Sequence, residues 1–487
     1  MNTPVRRIVW ALLAGFVALI LATTWIQAVA GPGYRDDPRN PRLSAWRVGR
    51  ERGAIITDDA VVIGRSDPNP EDPQTFTRVY PAIDRYAHTV GYVSVLFGSR
   101  GLERTRERDL VSHRDSTISG VLNAVLGGDP RPRGLRLTFD DDLQQAAVQA
   151  LEGSRGSIIA LDPTTGAVLA SASTPGFDPN SLVGSDAGPA GKALEEDPDN
   201  PLLHRTIATT YPPGSTFKVV TTAAALETGI AGPATEFADP EALELPGTSS
   251  TIHNYDDGLC GDGQSVTLAE AFVRSCNTTF AALGMQVGAE ALTETAEAFG
   301  FNQEIPYALP VLASSMPEAV DFFDDPAATA QNALGQRDVR ATPMQMALVA
   351  AAVANEGNIM IPYVVGDVFT HDGKIESETE PTLWRRAISP ATAAILSDLM
   401  EQVVLSGTGH NAAVPGVRVA GKTGTAEVTG ASPHVWFIGF APVDPEPGER
   451  QIALAIVLED GGPAGETASG GSVAAPIAAT LFETYLK

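Results

Sequence analysis

The stretch YPPGSTFKVV places a serine and a lysine, Ser215 and Lys218, three residues apart just after a Pro-Pro-Gly turn. The apolar pattern from Val219 to Glu227 predicts a helix, with Gly229 as its stop. Lys218 then falls in the first turn, where the helix dipole disfavours a cation. Residues three apart on a helix share a face, so hydroxyl and amine can meet. Dipole and burial both push a lysine towards its neutral form, and a neutral lysine beside a serine is a nucleophile with its general base. Free backbone N–H groups at the helix start can also hold a developing oxyanion. For this pair alone a plainer reading stands beside that one: a serine N-cap followed by a surface lysine. Only five of the 33 cationic residues are lysines, namely Lys192, Lys218, Lys374, Lys422 and Lys487. Arginine is the default cation, so a lysine marks a place where losing a proton can matter.

Two further groups could join this pair. RSCNTTF puts Ser275 and Asn277 at a helix end; Ser-x-Asn is common at caps and turns and carries no weight alone. VAGKTGTAEV puts Lys422, Thr423 and Gly424 on a strand that otherwise alternates well. A glycine inside a strand predicts close approach of another backbone or a ligand. A lysine there can bind a carboxylate, and a solvent-facing edge lysine is the alternative.

The elements that must position these groups are partly legible. LTFDDDLQQAAVQAL predicts a helix capped by Thr138 or Asp140, and GSIIALDPTTGAVLASAST predicts a hairpin turning from Pro163 to Gly166. Asp186 to Asn200 reads as a loop rich in glycine, proline and acids. TLAEAFVRS opens with a Thr267–Glu270 capping box, and TPMQMALVAAAVANEG is apolar nearly all round, which predicts a buried helix. Strands return at VRVAGKTGTAEV, HVWFIGFAPV and QIALAIVLED, and VAAPIAATLFETYLK closes on a helix. Strands at both ends with helices between them predict an α+β fold, one antiparallel sheet covered by helices. Upstream, WRVGRERGAIITDDAVVIGRS reads as strand, turn at Asp58-Asp59 and strand, and HTVGYVSVLFGSRGLERTRERDL mixes strand and turn signals.

The chain has 487 residues, 43% of them hydrophobic, room for roughly two to four domains and a sizeable core. A formal net charge of -26 argues against nucleic acid as a partner, since phosphate binding needs clustered cations. Residues 31–136 carry 17 Arg against 14 acids, whereas residues 137–487 carry 14 cations against 45 acids. That shift marks a module boundary near residue 136. Ile8 to Ala30 is an apolar run long enough to cross a bilayer as a helix, and Arg6 and Arg7 before it predict a cytoplasmic N-terminus. The rival is a cleaved signal peptide, because Ala28-Val29-Ala30 looks like a cleavage site; the length of the run favours an uncleaved anchor. Either way, everything after residue 30 lies outside the cytoplasm. Cys260 and Cys276 are the only cysteines. In an exported chain an even pair predicts a disulfide, against two unrelated buried thiols. No His or Cys spacing suits a metal, and none is expected.

Ser-x-x-Lys, Ser-x-Asn and Lys-Thr-Gly in this order are far more specific together than singly, and resemble the motif set of penicillin-binding proteins and class A β-lactamases. The chain is similar to class B penicillin-binding proteins, and within them most to the penicillin-binding protein A branch. RYAHTVGYVS and GSRGLE resemble the family's N-terminal module; GAVLASASTPGFDPN, YPPGSTFK, ALGQRDVRATPMQMA, AGKTGTAE and WFIGFAP resemble its transpeptidase domain. The resemblance implies a cytoplasmic tip and anchor over 1–30, a dimerisation or pedestal-like module over 31–136 and a transpeptidase domain over 137–487. It implies that Ser215 attacks the carbonyl of the penultimate D-alanine of a peptidoglycan stem peptide, releasing the terminal D-alanine. Lys218 would take the serine proton, Ser275 would relay a proton between the serine, Lys422 and the leaving amine, and Asn277 would hydrogen-bond the substrate peptide. Lys422, Thr423 and Thr425, around Gly424, would bind the terminal carboxylate, with the N–H groups of Ser215 and Thr425 as oxyanion hole. A stem-peptide amine would resolve the acyl-enzyme into a cross-link. Implied partners are stem peptides, β-lactam antibiotics and membrane-embedded wall-synthesis proteins, with no cofactor.

The rivals fit less well. No Glu-x-x-Leu-Asn, the deacylating acid motif of class A β-lactamases, lies between Ser275 and Lys422. The roughly hundred residues upstream are few for a glycosyltransferase domain, and an inward-signalling β-lactam receptor would need more spans or a cytoplasmic domain. A D,D-carboxypeptidase differs only in taking water as acceptor and stays open. A silent scaffold is disfavoured by three intact motifs.

Overall fold

The computed structural model describes residues 3–26, 48–82, 85–111, 131–184, 187–255 and 258–487. The hairpin forms as its turn chemistry requires. Gly156–Leu161 and Val168–Thr174 pair antiparallel, and the Asp162 carboxylate accepts from the Thr164 N–H at 2.8 Å to close the turn. The three C-terminal strands, Ala420–Val428, Ala431–Ala441 and Ile452–Leu458, complete one antiparallel sheet. Its order is Ala420–Val428, Ala431–Ala441, Ile452–Leu458, Gly156–Leu161, Val168–Thr174, which leaves the Lys422 strand at an edge. In that register Lys422 faces Ile438 and Gly424 faces Trp436.

Ile452–Leu458 is buried along its whole length, because both faces of the sheet are covered. Ala453, Ala455 and Val457 join the larger core with the helix Pro343–Ala354, whose apolar surface on all sides suits its burial. Leu454, Ile456 and Leu458 join a second core with the helices Asp141–Ala150 and Ala475–Leu486. Asp140 caps the first of these, accepting from the Leu143 N–H.

Upstream residues and two downstream strands form a second, six-stranded sheet in the order Ile375–Glu378, Val365–Phe369, Gly134–Leu137, Ile55–Ile56, Val62–Pro68, Phe76–Val79. It crosses the boundary expected near residue 136: Leu135 pairs with Ile55 on one side and with Val368 on the other. The short segments after it carry more helix than their sequence advertised, with Ala87–Val90, Gly101–Thr105 and Glu107–Leu110 all helical. Beneath them Glu103, fully buried, binds Arg52 at 2.7 Å and Arg78 at 2.6 Å.

One other expectation meets a different outcome. Within the stretch read as a loop, Ala187–Glu196 is a helix. Its alanines, Leu194 and glutamates outweigh Pro189, which sits in the first turn where no N–H is needed. Thr3–Trp25 is one helix with no buried residue, apolar and long enough to span a membrane. Ala28-Val29-Ala30 lies outside the described residues.

Candidate active site

Ser215 stands in a 3-10 turn, Gly214–Phe217, that runs straight into the helix Lys218–Glu227. The turn is tight: Gly214 donates its N–H to Gly335 O at 2.9 Å. A Cβ on Gly335 (φ +70°) would lie 2.3 Å from Gly214 O, so only glycine fits there. Ser275 ends the helix Leu268–Arg274, which begins at the expected capping box, and adopts a left-handed φ of 64°. That strained backbone is tolerated where the surroundings fix it. Here its carbonyl accepts from Lys218 Nζ at 2.7 Å and its hydroxyl from Lys422 Nζ at 2.8 Å. Asn277 opens the next helix, Asn277–Ala298, and its Oδ1 accepts from Lys218 Nζ at 2.8 Å.

The fold therefore brings all three motifs together at Ser275. Lys218 and Lys422 are fully buried, and Ser275 Oγ lies 3.4 Å from one amine and 2.8 Å from the other. Lys218 also sits over the Phe280 ring at 5.2 Å and Lys422 over Phe272 at 5.8 Å. Burial is the main cause that drives the Lys218 amine well below its ordinary pKa, and the neighbouring Lys422 charge adds to it. Burial lowers Lys422 to about 7. The alternative of a solvent-facing edge lysine at 422 does not hold in this geometry. Ser215 Oγ has no hydrogen bond among the described residues, which leaves its hydroxyl uncommitted.

Gly424 lets the strand meet the Ser215 turn. A Cβ there would come within 2.9 Å of Thr216 Cγ2 and 3.0 Å of Pro213 O, the close approach expected of a strand glycine. Thr423 Oγ1 is 2.6 Å from Thr408 Oγ1, and Thr425 Oγ1 accepts from the Gly470 N–H at 3.4 Å.

Cys260 and Cys276 form a disulfide with Cα atoms 5.9 Å apart. The Cys260 end of the disulfide is held in place by further hydrogen bonds. The buried Asp239 carboxylate accepts from the N–H groups of Cys260, Gly261 and Gly263 at 2.8, 2.6 and 3.0 Å. Cys276 offers its helix no side-chain cap. Asn254 Oδ1 supplies one from a distance, accepting from the N–H groups of Asn277 and Thr278 at 2.9 and 3.2 Å. Asp239, Asn254, Thr408 and Gly470 escape a reading of the sequence, because each acts on a motif at least fourteen residues away. A cleft of about 800 Å³ lined by Arg85, Gln145, Arg155 and Asp199 contains none of the motif residues. Among the described residues no cluster of His, Cys, Asp and Glu could hold a metal ion.

Comparison with known proteins agrees with this geometry. Residues 156–483 match the family described as penicillin binding protein transpeptidase domain, and residues 52–134 match the penicillin binding protein A dimerisation domain. The chain is 39% identical to the peptidoglycan D,D-transpeptidase PbpA of Mycolicibacterium smegmatis, covering 100% of this chain and 99% of that one. It is 37% identical to the protein of the same name from Mycobacterium tuberculosis, with the same coverage. Among solved structures, the ceftriaxone acyl-enzyme complex of penicillin-binding protein A from M. tuberculosis superposes with a TM-score of 0.83 at 37% identity. That match covers 91% of this chain and 99% of the other. The penicillin G acyl-enzyme complex gives 0.81, covering 90% and 100%.

Proposed function

The chain belongs to the penicillin-binding protein transpeptidase family, and from that premise we propose that it is a peptidoglycan D,D-transpeptidase, acylated on Ser215 by stem peptides and by β-lactams alike. Ser215 Oγ attacks the carbonyl carbon of the penultimate D-alanine while its proton passes to neutral Lys218. The developing oxyanion is held by the N–H groups of Ser215 and Thr425. The C–N bond to the terminal D-alanine then breaks, and the departing amine takes a proton through Ser275. An acceptor amine attacks the ester and its proton passes to Lys218, which hands a proton to Ser215 Oγ as the ester C–O bond breaks. Lys422, as a cation, holds the substrate's terminal carboxylate together with Thr423 and Thr425, and Asn277 orients the peptide.

The observation that carries this reading is Ser275 Oγ set between two fully buried lysines. Lys218 Nζ donates to two carbonyl-type oxygens, Ser275 O and Asn277 Oδ1. A neutral amine has only two N–H bonds, so both are used and its lone pair is left for the serine proton. Cationic Lys422 donates to Ser275 Oγ at 2.8 Å, which leaves the Ser275 proton free to pass to the departing amine as Lys218 returns its proton to Ser275 Oγ.

In the same reading the Thr3–Trp25 helix anchors the chain once, with Arg6 and Arg7 on the cytoplasmic side. The module over 31–136 would serve for dimerisation or as a pedestal for the transpeptidase domain over 137–487, with membrane-embedded wall-synthesis proteins as the expected neighbours. Purified full-length chain in detergent, given a stem-peptide donor and an amine acceptor, should release D-alanine and form the cross-linked peptide. Release with water as the only acceptor would make it a carboxypeptidase; no release and no penicillin uptake would make it a scaffold.

A further inference from the structure

The oxyanion hole of the proposed reaction is built from two elements that are not joined in the chain. Ser215 lies on the nucleophile turn and Thr425 on the edge strand. Two donors serve one oxyanion only if their separation is fixed to a fraction of an ångström. Something must therefore tie the turn to the strand.

Trp436 is placed to do this. It lies directly across from Gly424 on the neighbouring strand, and cross-strand partners share a sheet face. It is fully buried. Its indole Nε1 donates to Pro212 O, in the turn three residues before Ser215, at 3.1 Å. The missing Gly424 side chain leaves room for this reach, since a Cβ there would sit 3.2 Å from Trp436 Cβ as well as 3.0 Å from Pro213 O. The indole is braced in turn. Tyr211 packs edge-on against it at 6.0 Å and is held through its hydroxyl by Glu459 at 2.7 Å. The Trp436 backbone is hemmed in as well: a Cβ on Gly470 would lie 2.3 Å from Trp436 O and 2.6 Å from Gly424 O.

We infer that Trp436 is a positioning residue of this site: through its N–H bond to Pro212 O it sets the spacing between the Ser215 turn and the Thr425 strand, and so assembles the oxyanion hole. The inference rests on the reading of Ser215 as nucleophile. It does not make Trp436 a catalytic residue, because the indole touches neither substrate nor reacting atoms. It predicts a specific kinetic signature. Acylation and deacylation both pass through an oxyanion, so both should slow together. Initial binding depends on Lys422, Thr423 and Thr425 holding the carboxylate and should change little.

The test uses benzylpenicillin with the full-length chain, Trp436→Phe, and a variant carrying 3-benzothienylalanine at position 436, which keeps the indole's shape but has no N–H. In both variants the acylation and deacylation rate constants should fall by roughly 10- to 100-fold, with the dissociation constant of the initial complex within about twofold of the parent. If the phenylalanine variant fails to fold, the isosteric replacement still decides. An unchanged acylation rate in the isostere, or a loss confined to initial binding, overturns the role of Trp436 alone. A parent chain that takes up no penicillin overturns the functional reading and this inference with it.

Discussion

At the scale of the residue, the account turns on two lysines that the fold keeps from holding protons easily. Lys218 must be neutral to accept the Ser215 proton, and Lys422 must be charged to hold a carboxylate. The second-order rate of penicillin acylation should therefore rise as Lys218, held well below the ordinary lysine range by burial, loses its proton, and fall as Lys422 loses its own near pH 7. At saturating penicillin the falling limb should move to higher pH, since the bound carboxylate favours the Lys422 cation. A stopped-flow profile with a chromogenic β-lactam checks both limbs; a rate flat from pH 5 to pH 9 contradicts the assignment. The same burial has a cost in stability. Lys422 titrates at about 7 in the folded chain and at about 10.4 unfolded. Between those values the unfolded chain binds the extra proton, so this group makes stability rise with pH, and below 7 the penalty is complete, on the order of 4 kcal/mol. Lys422→Met should accordingly raise the melting temperature more at pH 6 than at pH 9 while abolishing acylation; equal shifts at both pH values would refute the buried-charge argument. The lysine identities were legible, because a chain that prefers arginine uses lysine sparingly. Lys422's burial was not, since it is created by Phe272 and neighbours that no local pattern connects to it.

At the scale of the element, what was legible is what is encoded locally: the 156–174 hairpin, the Thr267–Glu270 box, the all-round apolar helix Pro343–Ala354 and the glycine in the Lys422 strand. Contacts made at a distance were not, and the wall that carries Ser275 and Asn277 depends on them. The Cys260–Cys276 bond, the Asp239 carboxylate and the Asn254 cap all converge on it. The disulfide closes a loop of 16 residues, worth roughly 3 kcal/mol by loop entropy. Reduction should lower the melting temperature and slow penicillin acylation together, because Cys276 lies between Ser275 and Asn277. A lower melting temperature with unchanged acylation would mean that Asp239 and Asn254 hold the wall unaided. Differential scanning fluorimetry and penicillin labelling with and without reductant separate the two outcomes.

At the scale of the whole molecule, the charge step near residue 136 is real in the sequence, yet the backbone does not respect it. Strand Gly134–Leu137 is the seam between upstream strands and Val365–Phe369. A fragment spanning 137–487 loses most of that seam and exposes Val365–Phe369 as an edge. It should melt lower and aggregate more than a fragment spanning 48–487, as thermal scattering would show; equal behaviour would mean the two modules are energetically independent. Composition could not foretell this, because a strand added from two hundred residues downstream leaves no mark on local charge. All three scales meet in the proposal that Ser215 is the nucleophile and that Lys218, which burial keeps from holding its proton, is its base. Intact-mass spectrometry after exposure to benzylpenicillin, followed by peptide mapping, tests it most directly. One equivalent of drug on the peptide that contains Ser215, and none on Ser215→Ala or Lys218→Arg, is the expected result; an adduct on Ser215→Ala, or near-normal uptake by Lys218→Arg, would contradict it.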